Sequence, residues 1–183
     1  MLCCRLFPFT LNRPVAARLL LSLIVFGAML VEAQRASSNE REQRARGGIE
    51  PAGDVYQAMR VAYPSAFLAM FVEGAWRGAP PAAFVMAGAA IFVAAKALKW
   101  WAILSLGPFW TFRVVVVPGA RLVVSGPYRW LRHPNYVGVM GELAGVALMT
   151  GAPLSGVAGF VTFGLLVMRR IAVEQRAIQQ AAR

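Results

Sequence analysis

Ser125-Gly-Pro-Tyr-Arg-Trp-Leu-Arg-His-Pro-Asn-Tyr136 is a polar island between two apolar regions. It gathers Arg129, Arg132 and His133 with the phenols of Tyr128 and Tyr136. Hydrocarbon does not accept such a cluster unless it lies at the water interface or lines a polar cavity. The island is therefore read as part of a site that meets water while attached to a bilayer.

Composition agrees with that reading. Of 183 residues, 58% are hydrophobic and only 15% charged, and the mean hydropathy is +0.57. A water-soluble domain of this length needs more surface charge. The net charge of +11 would suggest nucleic acid in a soluble chain. In an oily one it reads as Arg/Lys loops facing an anionic leaflet, so membrane lipids are expected partners and nucleic acid is not. The two cysteines, Cys3 and Cys4, are adjacent and build no disulfide framework; no Cys/His spacing points to a metal.

Outward from the island, the apolar stretches read as five transmembrane helices. Residues 14–31 form the first: Pro14 suits the first helical position, and eighteen residues rise about 27 Å, close to the hydrocarbon thickness. Arg5, Arg13 and Arg18 ahead of residues 19–31 imitate a cleavable signal, but the later apolar segments favour a retained span. Residues 32–53 are crowded with charge and are expected to be a solvated loop with a helical turn or two, or a rim over the later site. Ser37-Ser38-Asn39 offers a helix start and Gly47-Gly48 a stop. Residues 55–76 are the second span, with Pro64 as a kink or effective start and Glu73 beside Arg77 or facing an acceptor site. A third span over roughly 82–98 lets Lys96 and Lys99 snorkel to one surface, with Trp100 and Trp101 as interface anchors.

The run after Trp110 is β-branched and, if extended, must lie at the interface or against protein. Ser125-Gly126-Pro127 starts a helical turn, and Pro134 ends it and starts the next helix. Residues 137–149 and 153–167, slightly extended, are the fourth and fifth spans. Gly138, Gly141 and Gly145 permit close helix approach, and Glu142 is a carboxylate inside a span. Residues 169–178 continue as a cytosol-facing C-terminal helix. Residues 1–13 are a tail; 14–183 form one membrane-embedded, all-α domain, with about 100–178 as the cofactor-binding part.

This topology puts fifteen Lys and Arg residues on the side of the island and four on the other. The positive-inside rule then places the island and the C-terminal helix in the cytoplasm. Chemically, Arg129, Arg132 and His133 can hold a carboxylate or phosphate. Tyr and Trp rings offer a stacking wall, and Glu142 or Glu174 can take an ammonium. A zwitterionic, partly aromatic small molecule suits this mixture, as does a dinucleotide, although no Gly-rich phosphate loop is present; the purely structural reading is an interfacial loop binding anionic lipid headgroups.

Residues 126–138, with their Arg-His-Pro-x-Tyr-x-Gly element, closely resemble the isoprenylcysteine carboxyl methyltransferase family, in particular its bacterial membrane branch. The resemblance extends to residues 106–119, Glu142, Arg170-Ile-x-x-Glu174, Arg46-Gly-Gly-Ile-Glu50 and Tyr56. It implies methyl transfer from S-adenosylmethionine to a lipophilic or prenylated acceptor from the membrane, most simply O-methylation of a carboxylate or phenol. It places Arg132, His133, Tyr136 and Gly138 in the cofactor pocket. Glu174 matches the first acid of a C-terminal Glu-Glu pair whose second position is Gln175 here. On that reading Glu174 takes the cofactor's ammonium and Arg132 or Arg129 its carboxylate. Arg129 and Glu142 are the catalytic candidates, and Trp110, Arg113, Tyr128 and Glu73 face the acceptor. The implied location is a bacterial inner membrane, with no obligatory protein partner. A similar Arg-His-Pro-x-Tyr-x-Gly stretch occurs in sterol-reductase-like membrane proteins, so an NADPH-dependent reductase is the enzyme alternative. A lipid-binding scaffold is the non-enzymatic one.

Overall fold

The computed structural model describes residues 13–119 and 123–181. Cys3, Cys4, Arg5, Arg121, Arg183 and the expected tail (except Arg13, which begins the first helix) lie outside the described residues. The architecture is all-α: α1 (Arg13–Ala45), α2 (Tyr56–Arg77), α3 (Ala82–Leu106), α4 (Pro134–Thr150) and α5 (Pro153–Ala181). Three of the helices, α1, α3 and α5, are long and apolar enough to cross a membrane. The expectation of five such spans is corrected to that extent. α4 is only 17 residues long, and α2 carries Arg60, Glu73 and Arg77.

Local chemistry sets the helix ends. Pro134 and Pro153 occupy first helical positions, where the missing N–H costs no hydrogen bond. Gly47 and Gly151 close α1 and α4 with φ of +79° and +66°. In both caps the glycine N–H and the next N–H reach back to the last-turn carbonyls.

α1 runs through the segment expected to be a loop. Its 33 residues span about 50 Å, more than the hydrocarbon thickness. Glu40–Arg44 and Glu42–Arg46 pair one turn apart along its outer end. Asn39 starts no helix: its amide donates to the carbonyls of Gly107 and Trp110, and Gln43 donates to Pro108. Those bonds tie α1 to the turn that follows α3. They hold α1 helical through a stretch of low local propensity.

The core is built where α2, α3, α4 and α5 meet, from Phe67, Met70, Phe92, Val139, Leu143, Val146, Phe163 and Val167. α3 and α4 pack almost backbone to backbone. A Cβ on Gly145 would stand 2.8 Å from the Gly88 carbonyl and 2.9 Å from Phe92 Cβ, while one on Gly141 would meet Ala95 Cβ at 2.7 Å. Leu20, Leu23, Met86, Val93, Leu154, Val157 and Leu165 point outward. Together with the core they make this an integral membrane bundle, with an apolar surface suited to lipid. Gly145→Val is therefore expected to force α3 and α4 apart and lower the thermal midpoint in detergent, at a cost of about 1–3 kcal/mol. Gly164→Ala, whose Cβ would meet only the flexible Met140 Cε at 3.4 Å, is the control and should leave the midpoint unchanged.

Both ends of the bundle are tied. At one, Arg18 donates to the Gly78 carbonyl, Glu73 pairs with Arg77, and Gly151 abuts Pro80. At the other, residues 46–55 lie across residues 110–117. The β-branched run forms one antiparallel bridge there, Ile49 with Val116, closed by two backbone hydrogen bonds of 2.9 Å.

The lysines of α3 do not snorkel. Lys99 Nζ lies 2.6 Å from Glu32 and 3.4 Å from Glu142, and Lys96 Nζ 2.8 Å and 3.0 Å from the same carboxylates. Glu32 and Glu142 are each 1% exposed and Lys99 2%. Tyr63 donates to Glu142 from α2. Four helices thus meet at one neutral cluster. Burial of a charge far from water requires a partner, and each charge here has two.

Candidate functional site

His133 precedes the first residue of α4. Pro134 disfavours the helical conformation for it, and its φ and ψ are −135° and 61°. Tyr136 follows within the first turn, and the two rings stack at 5.6 Å with an interplanar angle of 29°. The preceding turn, Gly126–Arg129, is pressed onto α3. Gly126 has φ +59°, and a Cβ there would fall 2.0 Å from Ser105 Oγ. No other residue fits that approach. The turn presents Tyr128 and Arg129, followed by Trp130, Leu131 and Arg132, and Trp130 rests against Trp101 at 5.8 Å.

α5 delivers the opposing wall. Tyr136 donates to Glu174 Oε2 at 3.2 Å, and Arg170 Nε donates to the Tyr136 oxygen at 2.9 Å. His133, Tyr136 and Glu174 therefore share one end of the bundle. Tyr128 borders them: burial, and then the Glu174 carboxylate, push its phenol above the ordinary range. Arg129 and Arg132 are exposed and, among the described residues, form no ion pair with a carboxylate; Arg129 lies over the Trp130 ring at 5.5 Å.

Other candidates are engaged elsewhere. Trp110, 3% exposed, packs with Ala36, Ile103 and Phe112 and donates to Asn135 Oδ1 at 3.3 Å, so it braces the start of α4 from behind. Arg113 pairs with Glu50 at 2.6 Å and covers the Tyr56 ring at 4.7 Å. Partial burial pulls the Glu50 carboxyl upward, but hydrogen bonds from Arg44 and Arg113 outweigh it and hold Glu50 below its ordinary value.

Three candidates stand apart from the His133–Glu174 wall. Gly138 faces α3, where a Cβ would meet Lys99 Cβ at 2.8 Å, so its role is helix packing. Glu142 lies about 14 Å of helix rise below His133, closed into the lysine cluster. Glu73 accepts from the Leu154 and Ser155 N–H groups and the Ser155 hydroxyl, capping α5. Along α5 that is about 28 Å from Glu174. The acceptor role foreseen for Glu73 and the catalytic role foreseen for Glu142 thus fall on side chains engaged away from the His133–Glu174 wall.

Sequence reading missed Asp54. Its carboxylate takes Arg170 at 3.0 Å, the Val114 N–H at 2.9 Å and the Tyr56 N–H at 3.1 Å. The one sequence signal was an acid after a glycine in a charged loop, which reads as solvent.

The family model of the isoprenylcysteine carboxyl methyltransferase (ICMT) family matches residues 88–180. The chain is 29% identical to the uncharacterized protein YpbQ of Bacillus subtilis (strain 168) over 161 residues, 88% of this chain and 96% of that one. An uncharacterized protein of Haemophilus influenzae (strain ATCC 51907 / DSM 11121 / KW20 / Rd) is 24% identical over 141 residues, 76% of this chain and 82% of that one. No solved structure matches.

Proposed function

The chain belongs to the isoprenylcysteine carboxyl methyltransferase family, a family of S-adenosylmethionine-dependent membrane enzymes, and on that premise we propose that it methylates a lipophilic, membrane-borne acceptor at a carboxylate or phenol oxygen. The observation that carries this reading is the convergence of His133, Tyr136 and Glu174 beside two arginines that form no ion pair among the described residues.

The donor set fits the cofactor. A stacked imidazole–phenol pair offers a face for an adenine ring, the half-buried Glu174 accepts an ammonium, and Arg129 or Arg132 takes an α-carboxylate. S-adenosylmethionine, when bound, supplies an electrophilic methyl carbon on a sulfonium. The residues of this chain then orient and exclude water, which in an in-line displacement supplies much of the rate. Glu142 is committed to two ammonium groups and a phenol. A carboxylate acceptor, nucleophilic without deprotonation, therefore suits the site better than a phenol or amine.

In this reading α1, α3 and α5 cross the bilayer, and consecutive helix ends alternate between the Arg18–Glu73 end and the His133–Glu174 end. Lys96 and Lys99 now belong to the buried cluster, yet most loop arginines still lie at the site end. That bias faces the site to the cytoplasm of a bacterial inner membrane.

The test is transfer of a labelled methyl group from S-adenosylmethionine to a native membrane-lipid extract by the purified protein. Base-labile label in the lipid fraction is expected, since an ester releases methanol in alkali and an ether or methylamine does not. Folded protein that transfers no label and binds NADPH in place of S-adenosylmethionine would overturn the reading.

A further inference from the structure

We infer that Asp54 is a positioning residue of the cofactor site, acting through Arg170 and Tyr136 to fix the orientation of Glu174; this rests on the methyl-transfer reading above. The four side chains come from three parts of the chain: Asp54 from the connection before α2, Tyr136 from the first turn of α4, and Arg170 and Glu174 from α5, one turn apart. The direction of every hydrogen bond in the chain is dictated by its ends. A guanidinium has only donors and a carboxylate only acceptors. Arg170 therefore donates to Asp54 Oδ1 with NH1 and to the Tyr136 oxygen with Nε. The phenol hydrogen is then left for Glu174 Oε2, at 3.2 Å. That bond turns one carboxylate oxygen to Tyr136 and leaves the other for a ligand cation.

Asp54 makes the arrangement single-valued. The Arg170 and Asp54 side chains are 7% and 4% exposed, and Asp54 is held in turn by the Val114 and Tyr56 N–H groups. The guanidinium is planar, so fixing NH1 fixes where Nε points. Without the Asp54 charge, Arg170 is a buried cation still linked through Tyr136 to Glu174, one helical turn away on α5. It would turn to that carboxylate and compete with the ammonium that Glu174 is there to bind.

The experiment is calorimetric titration of the detergent-purified full chain with S-adenosylmethionine, with the thermal midpoint of the unliganded protein as the folding control. Asp54→Asn, nearly isosteric, is expected to raise Kd at least about tenfold. Arg170→Lys keeps the charge but loses the planar fork that reaches Asp54 and Tyr136 from two separate nitrogens, and is expected to do the same, so it decides the matter if Asp54→Asn does not fold. Tyr136→Phe cuts the chain between Arg170 and Glu174. In that background, adding Asp54→Asn should change Kd by less than about twofold, a non-additivity that a general loosening of the fold would not produce. Wild-type affinity in both single variants, or independent multiplication of the Asp54 and Tyr136 effects, overturns the inference while leaving the cofactor site standing. Absence of binding by the wild type removes the cofactor reading itself, and the inference with it.

Discussion

Lys99→Met is expected to destabilise the bundle by about 3–5 kcal/mol, enough to lower both membrane yield and the thermal midpoint in detergent. Methionine fills nearly the same volume, so the loss is electrostatic. Wild-type Glu32 and Glu142 share two ammonium groups; the variant leaves two buried carboxylates with one. Glu142 is the more exposed to the loss. Its Oε1 lies 3.0 Å from Lys96 as a charge contact but without hydrogen-bond geometry, so Lys96 alone is a poor substitute. One buried carboxylate would be left short of counter-charge or would draw water into the bundle. Lys99→Met combined with Glu142→Gln restores neutrality, retains the Glu32–Lys96 pair at 2.8 Å, and keeps an oxygen for Tyr63. The double variant should recover most of the midpoint. Equal damage in the single and double variants would show that packing, and not charge, holds the four helices there.

Glu174→Ala is expected to weaken S-adenosylmethionine binding at least about thirtyfold, since truncating one member of a hydrogen-bonded charge pair costs about 2–5 kcal/mol. The change should spare the fold, because Glu174 is only half-buried and its one hydrogen bond, from Tyr136, is long. Glu174→Gln keeps an acceptor for Tyr136 and drops the charge, so it should fall between wild type and alanine. His133→Ala removes one of two stacked rings, and a loss of binding with the midpoint retained is the matching result. Calorimetric titration reads all three. An unaltered Kd for Glu174→Ala would remove the ammonium site, and with it the geometric argument for this cofactor.

What was legible followed how local each cause is. Pro134 and Gly151 act on their own turns, so both ends of α4 could be read directly. The glycine rhythm at 138, 141 and 145 forecast a close helix contact, which is the α3–α4 seam. Gly138 belongs to that seam as well; its placement in the cofactor pocket came from the family motif, and a motif position does not say which way a small residue faces. α1 was cut short because residues 32–53 are crowded with charge, and within them Ser37-Ser38-Asn39 reads as a separate helix start. Its continuation depends on Asn39 and Gln43 meeting carbonyls 65 to 71 positions later.

By itself the sequence determined the class of molecule and the family to which it belongs. Hydrophobic content, turn residues and the Arg-His-Pro-x-Tyr-x-Gly element each act or are recognised within a few residues. Only the tertiary structure decided which charges are structural and which are free. Lys99 and Glu32 are 67 positions apart and Arg170 and Asp54 116. An ion looks the same in a sequence whether it faces water or a counter-charge. Its role is set by what the fold brings within about 3 Å of it.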